Sequence, residues 1–322
     1  MASVTTPVPA APDLPVDALT HAKPVSLWRD SLRGILRQRS AIVGLSILVF
    51  LAGIAIFADV IATHHPNQTM LELGEPVSRQ DPETLAPCIH VLGCPADRPQ
   101  HLMGLDGNLR DVYSRIVHGA RVSLTIGFFT VGLAIIVGTF IGAVAGYYGG
   151  STDNVLMRFM DALLAFPSLL LAIVIVVVLG PGLVNAMLAI SVVAIPIYAR
   201  VMRSSVLAIR EQDYVTASRA LGESGRGILI RRVLPNALTP LVVAATLGIG
   251  TAILEVAALS FIGLGAQPPT AEWGAMIATD RGLMTVAPHL VIFAGIAITL
   301  TVLGFNLVGD GMRDALDPRL NR

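Results

Sequence analysis

The chain has 322 residues, of which 54% are apolar, 14% charged and 5% aromatic, with a mean hydropathy of +0.71. An average soluble domain carries about 25% charged residues, so the composition excludes one large water-soluble core and indicates a membrane protein built from aliphatic blocks. Lysine plus arginine and aspartate plus glutamate balance at 22 each, which removes any bulk attraction to nucleic acid and leaves charge placement as the informative quantity.

The first forty residues do not read as a signal peptide, because prolines, Asp13 and Asp17 precede any apolar run. They are expected to be disordered up to about Ser26. Six apolar blocks follow, at Ala41–Ala62, Val122–Gly146, Phe159–Leu179, Leu183–Ala199, Ala237–Leu264 and Val286–Val308. A membrane-spanning helix needs about 20 apolar residues, so the expectation is an all-α integral membrane protein with six transmembrane helices. The fourth block is the shortest and contains Pro196. Gly180-Pro181-Gly182 predicts a tight turn that separates the third and fourth spans.

Basic residues are retained on the cytoplasmic side of a membrane. Arg29, Arg33, Arg37 and Arg39 precede the first span, seven arginines from Arg200 to Arg232 lie between the fourth and fifth, and Arg313, Arg319 and Arg322 follow the sixth. The segment from His64 to Gly119 has seven acids against four arginines. Both termini are therefore expected in the cytoplasm and the 64–119 segment outside. Cys88 and Cys94 fall in that outer segment, where disulfides persist, and are read as a local staple. A metal site that adds His90 is the competing reading, but two cysteines and one histidine fall short of a closed zinc set. His64-His65 is read as interfacial polarity.

Between the fourth and fifth spans lies DYVTASRALGESGRGILIRRVLPN, residues 213–236. Tyr214, Ala217 and Leu221 share one face of a short helix. Gly222 stands where a left-handed cap ends it, and Ser224 is placed to cap a second helix. In that helix Leu229 pairs with Val233 and Ile230 with Leu234, beside Arg231 and Arg232. Pro235 ends it or starts the fifth span. A loop that merely fixed topology would need arginines but not matched caps and periodicity, so the pattern favours docking to a cytoplasmic partner.

A phosphate-cradling loop requires GxxxxGK[ST], and the single lysine, Lys23, is followed by Pro24 in the tail. The chain also lacks HExxH and GxSxG. It is therefore not expected to be an enzyme, and any ATP-driven motor is expected to be another chain.

DYVTASRALG followed by LPN resembles the cytoplasmic coupling loop of bacterial ABC importer permeases, with Gly222 as its glycine and Leu234-Pro235 as its distal pair. Four further stretches narrow the resemblance to the C-type permease of dipeptide and oligopeptide importers. They are HLMGLDGNLRDVYSRIVHGARVSL (101–124), YYGGSTDNVLMRFMDALLAFPSLLLAI (147–173), SFIGLGAQPPTAEWGAMI (260–277) and NLVGDGMRDALDPRL (306–320). Some positions depart from the family pattern. Thr216 replaces the glutamate of the coupling loop and Ser218 its second alanine, which leaves Asp213 or Glu211 to supply an acid. Leu105 and Leu109 replace a threonine and a glycine, which puts the tight turn there in doubt.

The resemblance implies a type I ABC importer permease fold. It divides the chain into a cytoplasmic tail (1–40), a first transmembrane helix (41–62), an extracytoplasmic loop (63–120), a five-helix core (121–310) with coupling helices at 211–235, and a cytoplasmic C-terminal tail (311–322). It also implies a homologous B-type permease as heterodimer partner, two ATPase domains on one or two chains, an outer peptide-binding protein and surrounding lipid. No cofactor is implied in this chain, with ATP and Mg bound by the ATPase partners. Asp213, Tyr214, Ala217, Gly222, Ser224, Ile228, Leu234 and Pro235 are the implied coupling residues. The cargo is a dipeptide or oligopeptide, with nickel chelates, haem or glutathione as alternatives within the subfamily. A secondary transporter and a membrane scaffold are the competing classes.

Ionisable groups inside a span cost about 2.5–3.5 kcal/mol on insertion scales, which singles out Asp161 and Glu255. Asp161 is within i, i+3 reach of Arg158. Glu255 has no nearby arginine in sequence and is either a pathway residue or paired with another helix. Gly138, Gly142 and Gly146 predict close helix packing, and Pro167 and Pro196 predict kinks.

Overall fold

Backbone groups inside a bilayer have no water to bond, so each apolar block must satisfy its own amides as a helix. The computed structural model describes residues 38–316 apart from 76, 79–81 and 96. Among them, the β pairing consists of three isolated bridges. The principal helices are α1 (Arg39–Ile56), α2 (Val112–Tyr148), α3 (Gly150–Leu164), α4 (Ser168–Leu179), α5 (Leu183–Arg210), α6 (Asp213–Ala220), α7 (Gly225–Phe261), α8 (Trp273–Asp280) and α9 (His289–Leu316). Five of these, α1, α2, α5, α7 and α9, are long and apolar enough to span a membrane, and the bent pair of α3 with α4 brings the number to six when it is counted as one span. The N-terminal tail before Gln38, with Arg29, Arg33 and Arg37, and the C-terminal Arg319 and Arg322 lie outside the described residues.

Several expectations are corrected here. The fourth block, the shortest, is part of the 28-residue α5, which extends beyond it to Arg210 and carries Pro196 in its interior. The third block is the one that breaks, with α3 and α4 meeting at 91°. The cause is Pro167, which has no N–H to continue the ladder and drives Phe166 away from helical backbone. The first block also divides, into α1 and a single turn at Ala58–Ile61. α2 begins ten residues before its apolar block; its 37 residues extend about 55 Å at 1.5 Å each, well beyond a hydrocarbon core of about 30 Å.

The helices are held by small residues on their inner faces. A side chain at Gly138, Gly142 or Gly146 of α2 would collide with α5 at Ile195, Tyr198, Ala199, Met202, Arg203 or Val206. Removing the Cβ lets the two backbones meet, which is how helices associate where lipid is as apolar as leucine. α1 and α9 use the same device, with Gly44 against Gly304, Leu307 and Val308, and Gly311 against Ala41. Large side chains point outward instead, with Phe140 71% and Val178 80% exposed. Three apolar clusters stack along the helices. The middle one includes Ala134, Ile190, Tyr198 and Val256, one end holds Leu105, Leu109 and Trp273, and the other holds Met202, Val215 and Ile228.

Overpacking a close-packed seam costs about 1–3 kcal/mol, so Gly142→Leu is expected to lower the thermal midpoint of the detergent-purified chain by several degrees or to prevent its purification. Gly132→Leu, on the same helix with open space at its Cβ, is expected to behave as wild type. Equal melting of the two variants would contradict the seam.

Candidate functional site

At one end of the bundle α5 runs past its last apolar block to Arg210, whose Nη1 donates to the Gly146 carbonyl at 2.8 Å and ties it to the end of α2. α6 follows with Asp213 in its first turn, where an acid complements the helix dipole. It buries Val215 alone. Tyr214 and Ala217 are exposed and Leu221 is 87% exposed, so the face picked out by periodicity stays largely open, with the Tyr214 hydroxyl reaching Arg232 and Asn236. Gly222, at φ +83°, takes the left-handed conformation that ends a helix, and the Ser224 Oγ accepts from the Gly227 N–H at 3.2 Å.

The second helix of the segment is not stopped by Pro235, which corrects the first of the two sequence readings of that residue. α7 continues from Gly225 to Phe261 through a π-turn at Leu229–Val233. That wider turn sits immediately before Leu234-Pro235, at the start of the following α-helical stretch, where proline's missing N–H is tolerated. The Arg232 carbonyl accepts from Asn236 Nδ2 at 2.7 Å, and the Tyr214 hydroxyl lies 3.5 Å from it. Ile228, Val233 and Ala237 are buried with Ala143, Met202 and Val206, and Leu234 packs beside them. Ile230, Arg226, Arg231 and Arg232 remain exposed.

Asp161 does not pair with Arg158. It accepts from Arg200 Nη2 at 2.6 Å, because α3 lies alongside α5, and Arg203 likewise makes two hydrogen bonds of 2.5 Å to Asp153. Glu255 on α7 accepts from the Ser168 Oγ at 3.2 Å. Ser168 is the first residue of α4, next to Pro167, so the intramembrane carboxylate meets the break in the third span.

The other end carries the connections α1–α2 and α7–α9. Leu105 and Leu109 do not prevent a tight turn. Asp106 Oδ1 accepts from the N–H groups of Asn108 and Arg110 at 2.9 Å each, and Leu109 takes φ +62°. That conformation costs a non-glycine residue about 1–2 kcal/mol, set against the full burial of the Leu109 side chain. Asp106 also pairs with Arg110 at 2.7 Å and Arg115 at 3.4 Å. Cys88 and Cys94 form a disulfide, which takes both thiolates from the alternative metal site; His90 Nε2 bonds the Arg98 carbonyl instead. Glu272 caps α8, accepting from the Gly274 and Ala275 N–H groups at 2.8 Å each. Burial pushes the Asp280 carboxyl up to about 6, with the charge of Asp106 adding to it and the Gly107 N–H, Arg110 and Arg115 opposing it.

A family described as binding-protein-dependent transport system inner membrane component matches residues 138–322. One described as the N-terminal TM domain of oligopeptide transport permease C matches residues 26–82. The chain belongs to the binding-protein-dependent transport permeases. A dipeptide transport system permease protein of Alkalihalophilus pseudofirmus is 44% identical over 98% of this chain and 96% of its own length. A glutathione transport system permease protein of Escherichia coli O157:H7 is 41% identical over 91% of each. A structure titled as an inward-facing conformation of a methionine ABC transporter aligns with a TM-score of 0.52 at 21% identity, over 63% of this chain and 96% of that one. The fold is that of ABC transporter permeases, and the permease is a multi-pass membrane subunit of an ABC importer.

Sequence reasoning missed Asn236, Ser168 and the Arg200 and Arg203 pairs of the permease. Asn236 follows Leu234-Pro235 directly, and a short polar residue beside a helical proline was the available signal. The others depend on which helices are neighbours. Asp280 yields a test. Its folded pKa lies above its unfolded value, so the folded state binds the extra proton. Its contribution is complete below about pH 4 and is lost as pH rises through about 6, by up to about 3 kcal/mol. Asp280→Asn is expected to flatten the fall in thermal midpoint between pH 4 and 7, measured by intrinsic fluorescence in detergent. An unchanged slope would show that the carboxyl titrates normally.

Proposed function

We propose that the permease carries peptides of the dipeptide and oligopeptide class inward across the cytoplasmic membrane by alternating access, driven by separate ATPase subunits that dock on α6 and the start of α7. The observation that carries this reading is the exposed face of Tyr214, Ala217 and Leu221 beside a helix that continues unbroken into a span. A docked partner that moves α6 then moves α7 as a rigid body, which is the motion alternating access requires. Asp213, Gly222, Ser224 and Pro235 border that surface, and Ile228 and Leu234 pack beneath it. The absence of a phosphate-binding motif around the single lysine supports ATPase domains on other chains, which would supply ATP and Mg binding. An outer binding protein delivers the cargo, and a homologous B-type permease completes the pathway. The arginines of the α5–α7 connection support a cytoplasmic location for this end and for both termini. The disulfide supports an extracytoplasmic location for the other.

The names of the relatives support two cargo readings, a dipeptide and glutathione, itself a tripeptide. Calorimetric titration of the cognate binding protein with a peptide panel that includes glutathione separates them. Tightest binding of dipeptides is expected, and selective binding of glutathione alone would move the permease to the second class.

Replacing Ala217 and Gly222 together with leucine is expected to reduce ATP-dependent uptake in proteoliposomes at least tenfold while the chain remains folded. Normal co-purification with the ATPase and normal substrate-stimulated turnover would sink the docking assignment. Glu255→Gln is expected to lower uptake severalfold with subunit assembly intact, through loss of the charge at the break of the third span. Unchanged uptake would leave Glu255 a structural partner of Ser168 only.

A further inference from the structure

His64, His101 and Asp111 are far apart in sequence and come together where the α1–α2 connection meets the start of α2. His64 follows the short helical turn after α1. His101 is bonded to Cys88 through both backbone groups, at 2.9 and 3.0 Å. Asp111 is the N-cap of α2, with its Oδ2 accepting from the Ser114 N–H at 2.8 Å. One ligand atom from each of the three lies within 4.8 Å of the others. His101 Nδ1 is 3.2 Å from Asp111 Oδ1, and His64 Nδ1 is 3.9 Å from Asp111 Oδ2. Ligand atoms around a tetrahedral zinc with bonds of about 2.0–2.1 Å stand roughly 3.3 Å apart, so the first spacing already fits. The second requires His64 Nδ1, which lies 3.0 Å from the Thr63 hydroxyl, to turn toward Asp111.

The other nitrogen of His101 gives an independent indication. Its Nε2 is 3.0 Å from Glu75 Oε2, so both ring nitrogens face carboxylate oxygens. A neutral imidazole has one N–H. If it donates to Glu75, the Nδ1 lone pair is directed at the Asp111 oxygen, an arrangement that either a second proton on the ring or a cation between the two groups satisfies. A carboxylate that orients a histidine through its far nitrogen is the usual outer shell of a metal-bound imidazole. The site is also sheltered, since His101 is 4% exposed and Asp111 fully buried.

We propose that His64, His101 and Asp111 bind one divalent transition-metal cation of the zinc class, with Glu75 orienting His101. Two imidazoles and a carboxylate suit Zn²⁺, Ni²⁺ or Cu²⁺ and disfavour Ca²⁺ and Mg²⁺, which take all-oxygen shells. Three protein ligands leave a position for water or an incoming group. The cation clamps the end of α1, the disulfide-bearing loop and the first turn of α2 to one another. His65, adjacent in sequence, has no part in the site.

The test uses the full-length chain in its purified importer complex, stripped with chelator and titrated with Zn²⁺ alone. One zinc per permease is expected, and His64→Gln and Glu75→Gln are expected to weaken binding at least tenfold, while His65→Gln and His90→Gln do not. X-ray absorption of the zinc-loaded wild type is expected to show two imidazole nitrogens and oxygen ligands, which decides the matter even if a variant fails to fold. Absence of stoichiometric zinc, equal affinity in His64→Gln, or a spectrum without two imidazoles would overturn the proposal and leave a proton as the positive centre on His101.

Discussion

The permease depends on one close approach, that of the α2 and α5 backbones along Gly138, Gly142 and Gly146. In lipid there is no hydrophobic gain in pressing leucine against leucine, so helices gain most where their backbones touch over a long stretch. That seam positions α5, and α5 in turn positions what packs on it. α3 is drawn in through Arg200–Asp161 and Arg203–Asp153. α7 lies beside both helices through Tyr198, Ile253 and Val256. The large aliphatic side chains left outside, such as Phe140 and Val178, face lipid or a partner subunit.

The two ends of the bundle solve different problems. At the α6 end the chain buries a few residues, among them Val215, Ile228 and Val233, and leaves an amphipathic face open. Such a face is stable because the buried set alone anchors it to α5 and α2. The π-turn before Pro235 keeps the backbone continuous, with Asn236 and Tyr214 serving the Arg232 carbonyl. A force applied there has no flexible joint in which to dissipate.

At the other end polar groups hold long connections together. Asp106 accepts from its own turn and pairs with Arg110 and Arg115, while Arg115 also donates to the Pro66 carbonyl. Breaking one member of such a buried set strands the remaining charges, which is far costlier than the set is worth as a pair. The left-handed Leu109 persists because Asp106 fixes the turn from inside and the leucine side chain fills the apolar cluster around Trp273.

Composition and block length were enough to determine a helical membrane protein, and each apolar block falls largely in a helix, although the third block is broken and the first divided. Arginine placement and the Gly222 and Ser224 positions made the exposed segment between the fourth and fifth spans legible, since caps and periodicity are local properties of the chain. Proline positions alone did not settle their effects. Pro167 breaks a span, Pro196 rides inside a helix and Pro235 follows a π-turn, because neighbouring helices decide whether the lost bond is compensated. Pairings across helices were likewise hidden, as Glu255 with Ser168, Asp161 with Arg200 and His64 with His101 join residues 87, 39 and 37 positions apart. A sequence specifies the period and ends of each helix, but the rotation that turns one face toward a neighbour is set by packing, and only the tertiary structure decided it.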